Sequence, residues 1–236
     1  MSVVCPARNE AGNIQRVIED TPELGAGTEL IFVEGNSADS TWQVIQDMVK
    51  RYPQKNIRIM QQPGKGKGDA VRKGFAEASG EILMILDADL TVPGEYLERF
   101  YQAIQSGRGE FVNGVRLVYP MGDQAMRFWN LGANKFFALS FSWVLGQPIK
   151  DTLCGTKALT RDAYRIIADN RDYFGELDPF GDFDLIFGAA RQDMKIVDIP
   201  VRYQDRDYGD TNIQRWSAGV LLLRMLLLAA RRLKFV

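Results

Sequence analysis

The chain has 236 residues, 46% hydrophobic and 25% charged, with a formal net charge of −1; this is enough apolar material for a real core and too little positive charge for a dedicated nucleic-acid binder. It contains no histidine, which excludes Ser-His-Asp and Cys-His nucleophile systems and His-ligated zinc, so acid–base chemistry must come from carboxylates, Lys, Tyr or the substrate itself. Its 2 cysteines, Cys5 and Cys154, lie far apart without metal-ligand spacing and point to a reducing compartment.

The first half alternates short apolar runs with helical periodicity. Val3-Val4-Cys5 reads as a strand, and Asn13 to Asp20 as a helix with Ile14, Val17 and Ile18 inward. Leu30 to Val33 is a second strand, followed by a helix from Ser40 to Tyr52 with Trp42, Ile45, Met48, Val49 and Tyr52 on one face. Ile57 to Met60 is a third strand, followed by a helix from Asp69 to Ala78. Ile82-Leu83-Met84-Ile85-Leu86 reads as a buried strand of a parallel sheet. Pro93 and Glu95 open a helix whose stripe is Tyr96, Leu97, Phe100, Tyr101 and Ile104. This order predicts an α/β fold, a mostly parallel sheet covered by helices.

The second half is less regular. Met126 to Leu145 is strongly apolar and reads as a helix, Asp182 to Arg191 as another, and Ile196 to Tyr203 as a strand broken by Pro200. Ile213 onward reads as a final amphipathic helix, its leucines flanked by Arg224, Arg231, Arg232 and Lys234. That helix suits either an anionic membrane surface or a packing role. The apolar stretch from Ala218 to Ala230 is interrupted by Arg224 and too short to cross a bilayer, and no secretory signal is read at the start. With no linker or repeat, the expectation is one domain with two lobes, residues 1–115 and 116–212, and a terminal helix, 213–236. The expected location is cytoplasmic, peripheral on the inner face of the membrane.

The chemistry-bearing segments follow the strands. Asp87 and Asp89 are two apart, so on an extended chain they point to one side. Two carboxylates at the C-terminal end of a strand make a site for a hard cation, Mg²⁺ or Mn²⁺, able to grip a diphosphate. Pro6-Ala7-Arg8-Asn9-Glu10 follows the first strand and opens a helix, whose free N–H groups suit an anion. Glu34 leaves the second strand where a carboxylate can read a base or ribose, and Asp39 or Ser40 caps the next helix. Pro63-Gly64-Lys65-Gly66-Lys67-Gly68-Asp69 is a glycine-rich basic loop before a helix; it lacks the Walker and Rossmann spacings, but Lys65 and Lys67 can neutralise a nucleotide.

Taken in order, Pro-Ala-Arg-Asn-Glu, Glu-Gly-Asn-Ser-x-Asp-x-Thr, Gly-Lys-Gly-x-Ala and Asp-Ala-Asp resemble a family 2 glycosyltransferase of the GT-A fold. The branch resembled is that of polyprenyl-phosphate sugar transferases, dolichol-phosphate mannose synthases among them. The resemblance implies donor binding by Pro6, Ala7, Glu10, Glu34, Lys67, Asp69, Asp87 and Ala88, with a divalent metal on Asp87 and Asp89. It implies phosphate clamping by Arg116, Arg127 and Arg206, and it makes Asp182, in Gly181-Asp182-Phe183-Asp184-Leu185, a general base, with Asp182 and Asp89 the catalytic pair. Departures are Glu34-Gly35-Asn36-Ser37 where relatives often have Asp-Asp-Gly-Ser, Lys157 for an Arg, and Thr211-Asn212 for Ser-Lys. The implied activity is inverting transfer of a hexose from a GDP- or UDP-linked donor to a polyprenyl phosphate; with a sugar or lipid hydroxyl as acceptor, Asp182 would take the proton. A sugar-phosphate nucleotidylyltransferase would carry a Gly-rich, Arg-containing loop where Pro6 to Glu10 stands, and a non-catalytic membrane module would have no use for Asp87 and Asp89.

Overall fold

The computed structural model describes residues 1–116, 128–171, 181–206, 208 and 215–234. Among these residues, seven strands form one sheet in the order β3-β2-β1-β4-β6-β5-β7. They are β1 (Ser2–Ala7), β2 (Glu29–Glu34), β3 (Asn56–Gln61), β4 (Ile82–Ile85), β5 (Phe111–Val115), β6 (Lys157–Thr160) and β7 (Ile196–Pro200). The first four pair in parallel, as the continuous apolar runs predict. β6 runs antiparallel to both its neighbours, β4 and β5. It comes from beyond residue 116 yet lies between two strands that precede that point.

Eight helices cover the sheet among the described residues: α1 (Ile14–Asp20), α2 (Thr41–Arg51), α3 (Lys67–Glu77), α4 (Leu97–Gln105), α5 (Phe128–Leu145), α6 (Arg161–Asp169), α7 (Asp182–Arg191) and α8 (Arg215–Leu233). The residues fall into two cores, one on each face of the sheet. One is built on Val4, Ile31, Leu83 and Ile85 with Phe75, Phe141, Ile167, Phe187 and Met225, from α3 and α5–α8. The other is built on Val3, Cys5, Phe32 and Met84 with Ile14, Ile18, Ile45 and Phe100, from α1, α2 and α4. Strand residues alternate between these cores because successive side chains point to opposite faces.

The final strand ends at Pro200, where the sequence reading breaks it, with the Val201 amide making a last bond to the Val115 carbonyl at 2.9 Å. The strands β5 and β6 and the helix α6 were not anticipated. β5 carries Asn113 and Gly114, and β6 begins with a lysine; neither is a run that reads as a buried strand.

Candidate active site

The C-terminal ends of the parallel strands open into one cavity of about 420 Å³. The sheet order places β1 and β4 side by side where the chain turns back on itself, the point at which open α/β sheets bind ligands. Of the residues singled out in the sequence, Pro6, Ala7, Glu10, Lys67, Asp87, Ala88, Asp89, Arg116, Asp182 and Arg206 all line it. Arg127 lies outside the described residues, as do Thr211 and Asn212.

β4 ends at Ile85, and the Leu86 amide still bonds to the Val4 carbonyl at 3.0 Å, so Asp87 is delivered at the rim by a rigid strand. Lys67 Nζ lies 2.6 Å from Asp87 Oδ1. Burial acts to raise the Asp87 pKa, but the Lys67 ammonium and its hydrogen bond outweigh it and hold the carboxyl below its ordinary value. Asp89 Oδ1 accepts from the Thr91 amide at 3.1 Å and the Thr91 hydroxyl at 2.9 Å. Its Oδ2 meets Arg206 at 2.6 Å, and Arg206 also lies 3.8 Å from Glu10. Glu10 is pushed up to about 7, first by burial and then by the Asp89 charge, against the Asn13 hydrogen bond and Arg206.

Asp87 and Asp89 offer hard oxygen ligands on one rim, which fits Mg²⁺ or Mn²⁺. Among the described residues no group of three or more His, Cys, Asp or Glu side chains is arranged around a metal position. A cation of this kind needs only one or two carboxylates when substrate phosphates complete its shell. Lys67 and Arg206, already drawn to these carboxylates, show that the rim attracts positive charge.

Two predicted donor-binding carboxylates sit elsewhere. Glu34 is buried and does not line the cavity; it accepts from the Ser37 amide at 2.5 Å and from Gln61 Nε2 at 3.1 Å. Asp69 accepts from the Gly64 amide at 2.9 Å and folds the glycine-rich loop back on itself. Asp39 likewise accepts from Thr41 N at 2.9 Å at the start of α2. These carboxylates shape loops, and the wall they support is presented by Gly35, Gln62 and Gly66 instead.

On the far side, Arg116 is clamped by Asp151 through two bonds, 2.7 Å from Nε and 2.9 Å from Nη2, and its guanidinium lies over the Tyr203 ring at 5.4 Å. The fork geometry that would suit a phosphate is thus turned partly to a carboxylate. Asp182 is the first residue of α7, after Gly181 in the left-handed region at φ 71°. A β-carbon at Gly181 would press on the Gly68 backbone, so only glycine lets α7 approach the lysine loop this closely. Asp182 Oδ1 accepts from Lys157 Nζ at 2.8 Å, and Lys157 is fully buried. Lys157, noted in the sequence only as a departure, is the residue that sequence reasoning underrated. A lysine opening a short apolar segment was the one available signal.

The family model described as glycosyl transferase family 2 matches residues 2–165. The chain is 28% identical over 220 residues to a dolichol-phosphate mannosyltransferase of Pyrococcus furiosus, covering 91% of this chain and 59% of that one. It is 28% identical over 232 residues to a dolichyl-phosphate beta-glucosyltransferase of Trichomonas vaginalis, covering 89% and 65%. The chain therefore spans less than two thirds of the length of these two curated relatives. Its fold is similar to that of glucosyl-3-phosphoglycerate synthase from Mycobacterium tuberculosis, solved with Mn²⁺, uridine diphosphate and glucosyl-3-phosphoglycerate. That match has a TM-score of 0.68 at 18% identity, covering 98% of this chain and 79% of that one.

Proposed function

The chain belongs to glycosyl transferase family 2 and has the GT-A fold, and from that premise we propose that it is an inverting, metal-dependent glycosyltransferase moving a hexose from a GDP- or UDP-linked donor to a polyprenyl phosphate. The observation that carries this reading is the rim at the end of β4. Asp87 and Asp89 share it with Lys67 and Arg206, each pair 2.6 Å apart. A site that gathers two carboxylates and two cations in one cavity can hold a cation and a diphosphate together. The names of the curated relatives support the polyprenyl-phosphate acceptor.

In this reading Asp87 and Asp89 hold Mg²⁺ or Mn²⁺, which when bound offsets the charge that develops on the departing diphosphate. Lys67 and Arg206 exchange carboxylate for phosphate oxygens as the donor enters. The acceptor oxygen forms its bond to the anomeric carbon from the face opposite the diphosphate while the bond from that carbon to the phosphate oxygen breaks, so the configuration inverts. Leu153 and Leu222, which also line the cavity, keep water from the reacting carbon. A phosphate acceptor is already an anion at neutral pH and needs no base.

The second reading, transfer to a sugar or lipid hydroxyl, asks Asp182 to take a proton. Its Oδ1 is committed to a fully buried ammonium, which favours the phosphate acceptor. Among the described residues no helix is long and apolar enough to cross a membrane. Contact with the lipid surface is proposed through the outer face of α5 and α8, where Phe136, Leu139, Trp143, Leu223 and Leu227 are exposed beside Arg224, Arg231 and Arg232.

The test is a screen of nucleotide-sugars with Mg²⁺ or Mn²⁺, with and without a polyprenyl phosphate. Sugar transfer from a GDP- or UDP-sugar that requires both the metal and the lipid phosphate is expected; turnover indifferent to the lipid phosphate would sink the acceptor assignment. Asp182→Asn at saturating Mn²⁺ separates the readings, since it should abolish transfer to a hydroxyl and affect transfer to a phosphate much less.

A further inference from the structure

Lys157 has 0% exposure and so touches neither donor nor acceptor. A buried ammonium without a counter-charge is strongly unfavourable, and its partners here are the Cys154 carbonyl and Asp182 Oδ1. Lys67 Nζ is bonded to Asp87 at 2.6 Å, and the backbone of Gly68, the next residue, is packed against Gly181 just before Asp182, so Lys67 and Asp182 line one cavity from adjoining elements. The Asp182 and Asp87 charges together overcome burial to hold the Lys67 ammonium above the ordinary lysine range. Gly155 closes the arrangement: a β-carbon there would overlap both Asp87 Oδ2 and Lys67 Nζ. Two ion pairs thus lie side by side, Lys157 with Asp182 behind the cavity wall and Lys67 with Asp87 on its rim.

We propose that Lys157 is a positioning residue for the transfer: by holding the Asp182 carboxylate from behind, it leaves Lys67 to Asp87 and to the donor diphosphate. Without Lys157, Asp182 becomes a buried charge with Lys67 as its nearest remedy. Lys67 then moves toward α7, which frees Asp87 for a cation and takes a cation away from the diphosphate. The inference rests on the proposed donor site and adds to it the question of what keeps Lys67 in place.

The test is calorimetric binding of Mn²⁺ alone, and of UDP and GDP alone, to the full chain. In Lys157→Met, Mn²⁺ should bind more tightly and the diphosphate more weakly, each by roughly two- to tenfold, the range of coupling within one charge network. In Asp182→Asn the cation result should reverse, because the Lys157 ammonium, left without its carboxylate, then adds positive charge behind Asp87. The double variant Lys157→Met/Asp182→Asn, which buries no charge and folds even where Lys157→Met does not, should return both affinities toward wild type. Lys157→Arg, which keeps the cation, should leave both near wild type. Losses of Mn²⁺ and diphosphate binding together in Lys157→Met, as a merely structural role would give, overturn the proposal, as does a double variant with opposed shifts. A wild-type chain that binds Mn²⁺ and neither diphosphate overturns the donor-site reading and this inference with it; one that binds both, with variants that shift them in parallel, overturns this inference alone.

Discussion

Asp89 divides its two oxygens between architecture and charge. Oδ1 holds the turn after β4 through Thr91, while Oδ2 faces Arg206. Asp89→Asn keeps an acceptor for the turn and removes the charge, so transfer should fall on the order of 10²–10³-fold with little change in melting temperature. A Mn²⁺ titration of initial rates checks this, and unchanged metal-dependent turnover would refute the metal assignment. Glu10 supplies a pH dependence. Its folded pKa, about 7, lies above the ordinary value of 4.5, so the folded state binds the proton more tightly than the unfolded one. That contribution is fully present below about 4.5 and is lost as pH rises through about 7. In metal-free protein, Glu10→Gln should flatten the decline in melting temperature between those limits by a few degrees, and parallel curves for the two proteins would rule the effect out. At this scale the sequence made Asp87 and Asp89 legible, because their two-residue spacing at a strand end is local. The Lys157–Asp182 pair was not legible, because it joins residues far apart in the chain, and only the antiparallel course of β6 brings them together.

Helix ends govern what the cavity receives. α6 is capped by Thr160, whose hydroxyl accepts from the Ala163 amide at 3.1 Å. Thr160→Ala should lower stability by about 1 kcal/mol in a urea titration while leaving nucleotide binding unchanged, since α6 presents no residue to the cavity. Gly181→Ala is the contrasting case. It places a side chain where φ is 71° and against the Gly68 backbone, so about 1–2 kcal/mol of stability should be lost together with diphosphate affinity. Loss of one without the other would separate α7 from the lysine loop. The helices with strong apolar stripes were readable from period alone, and α2, α4 and α7 fall close to their expected limits. β6 was not readable, because its four residues gain their strand character from β4 and β5 on either side.

At the scale of the whole molecule, the exposed large apolar side chains among the described residues are concentrated on α5 and α8, which pack against each other. Phe136 is 57% exposed, Leu139 73% and Leu227 63%, and a soluble surface rarely gathers such residues together. Flotation with anionic vesicles should carry the wild-type chain upward, and Leu223→Glu/Leu227→Glu should leave it in the dense fraction with its nucleotide binding intact. Equal flotation of both would place the contact elsewhere. The sheet has a temporal consequence as well. As the ribosome releases the chain, β4 emerges long before β6, and until β6 arrives one flank of β4 is an unmatched edge. The strand that leads into the two aspartates is thus sealed later than β1 and β2. Its pairing closes a loop of more than seventy residues, a slow, long-range event, so the rim of the cavity should be completed late in folding, in the same step that covers the exposed flank of β4.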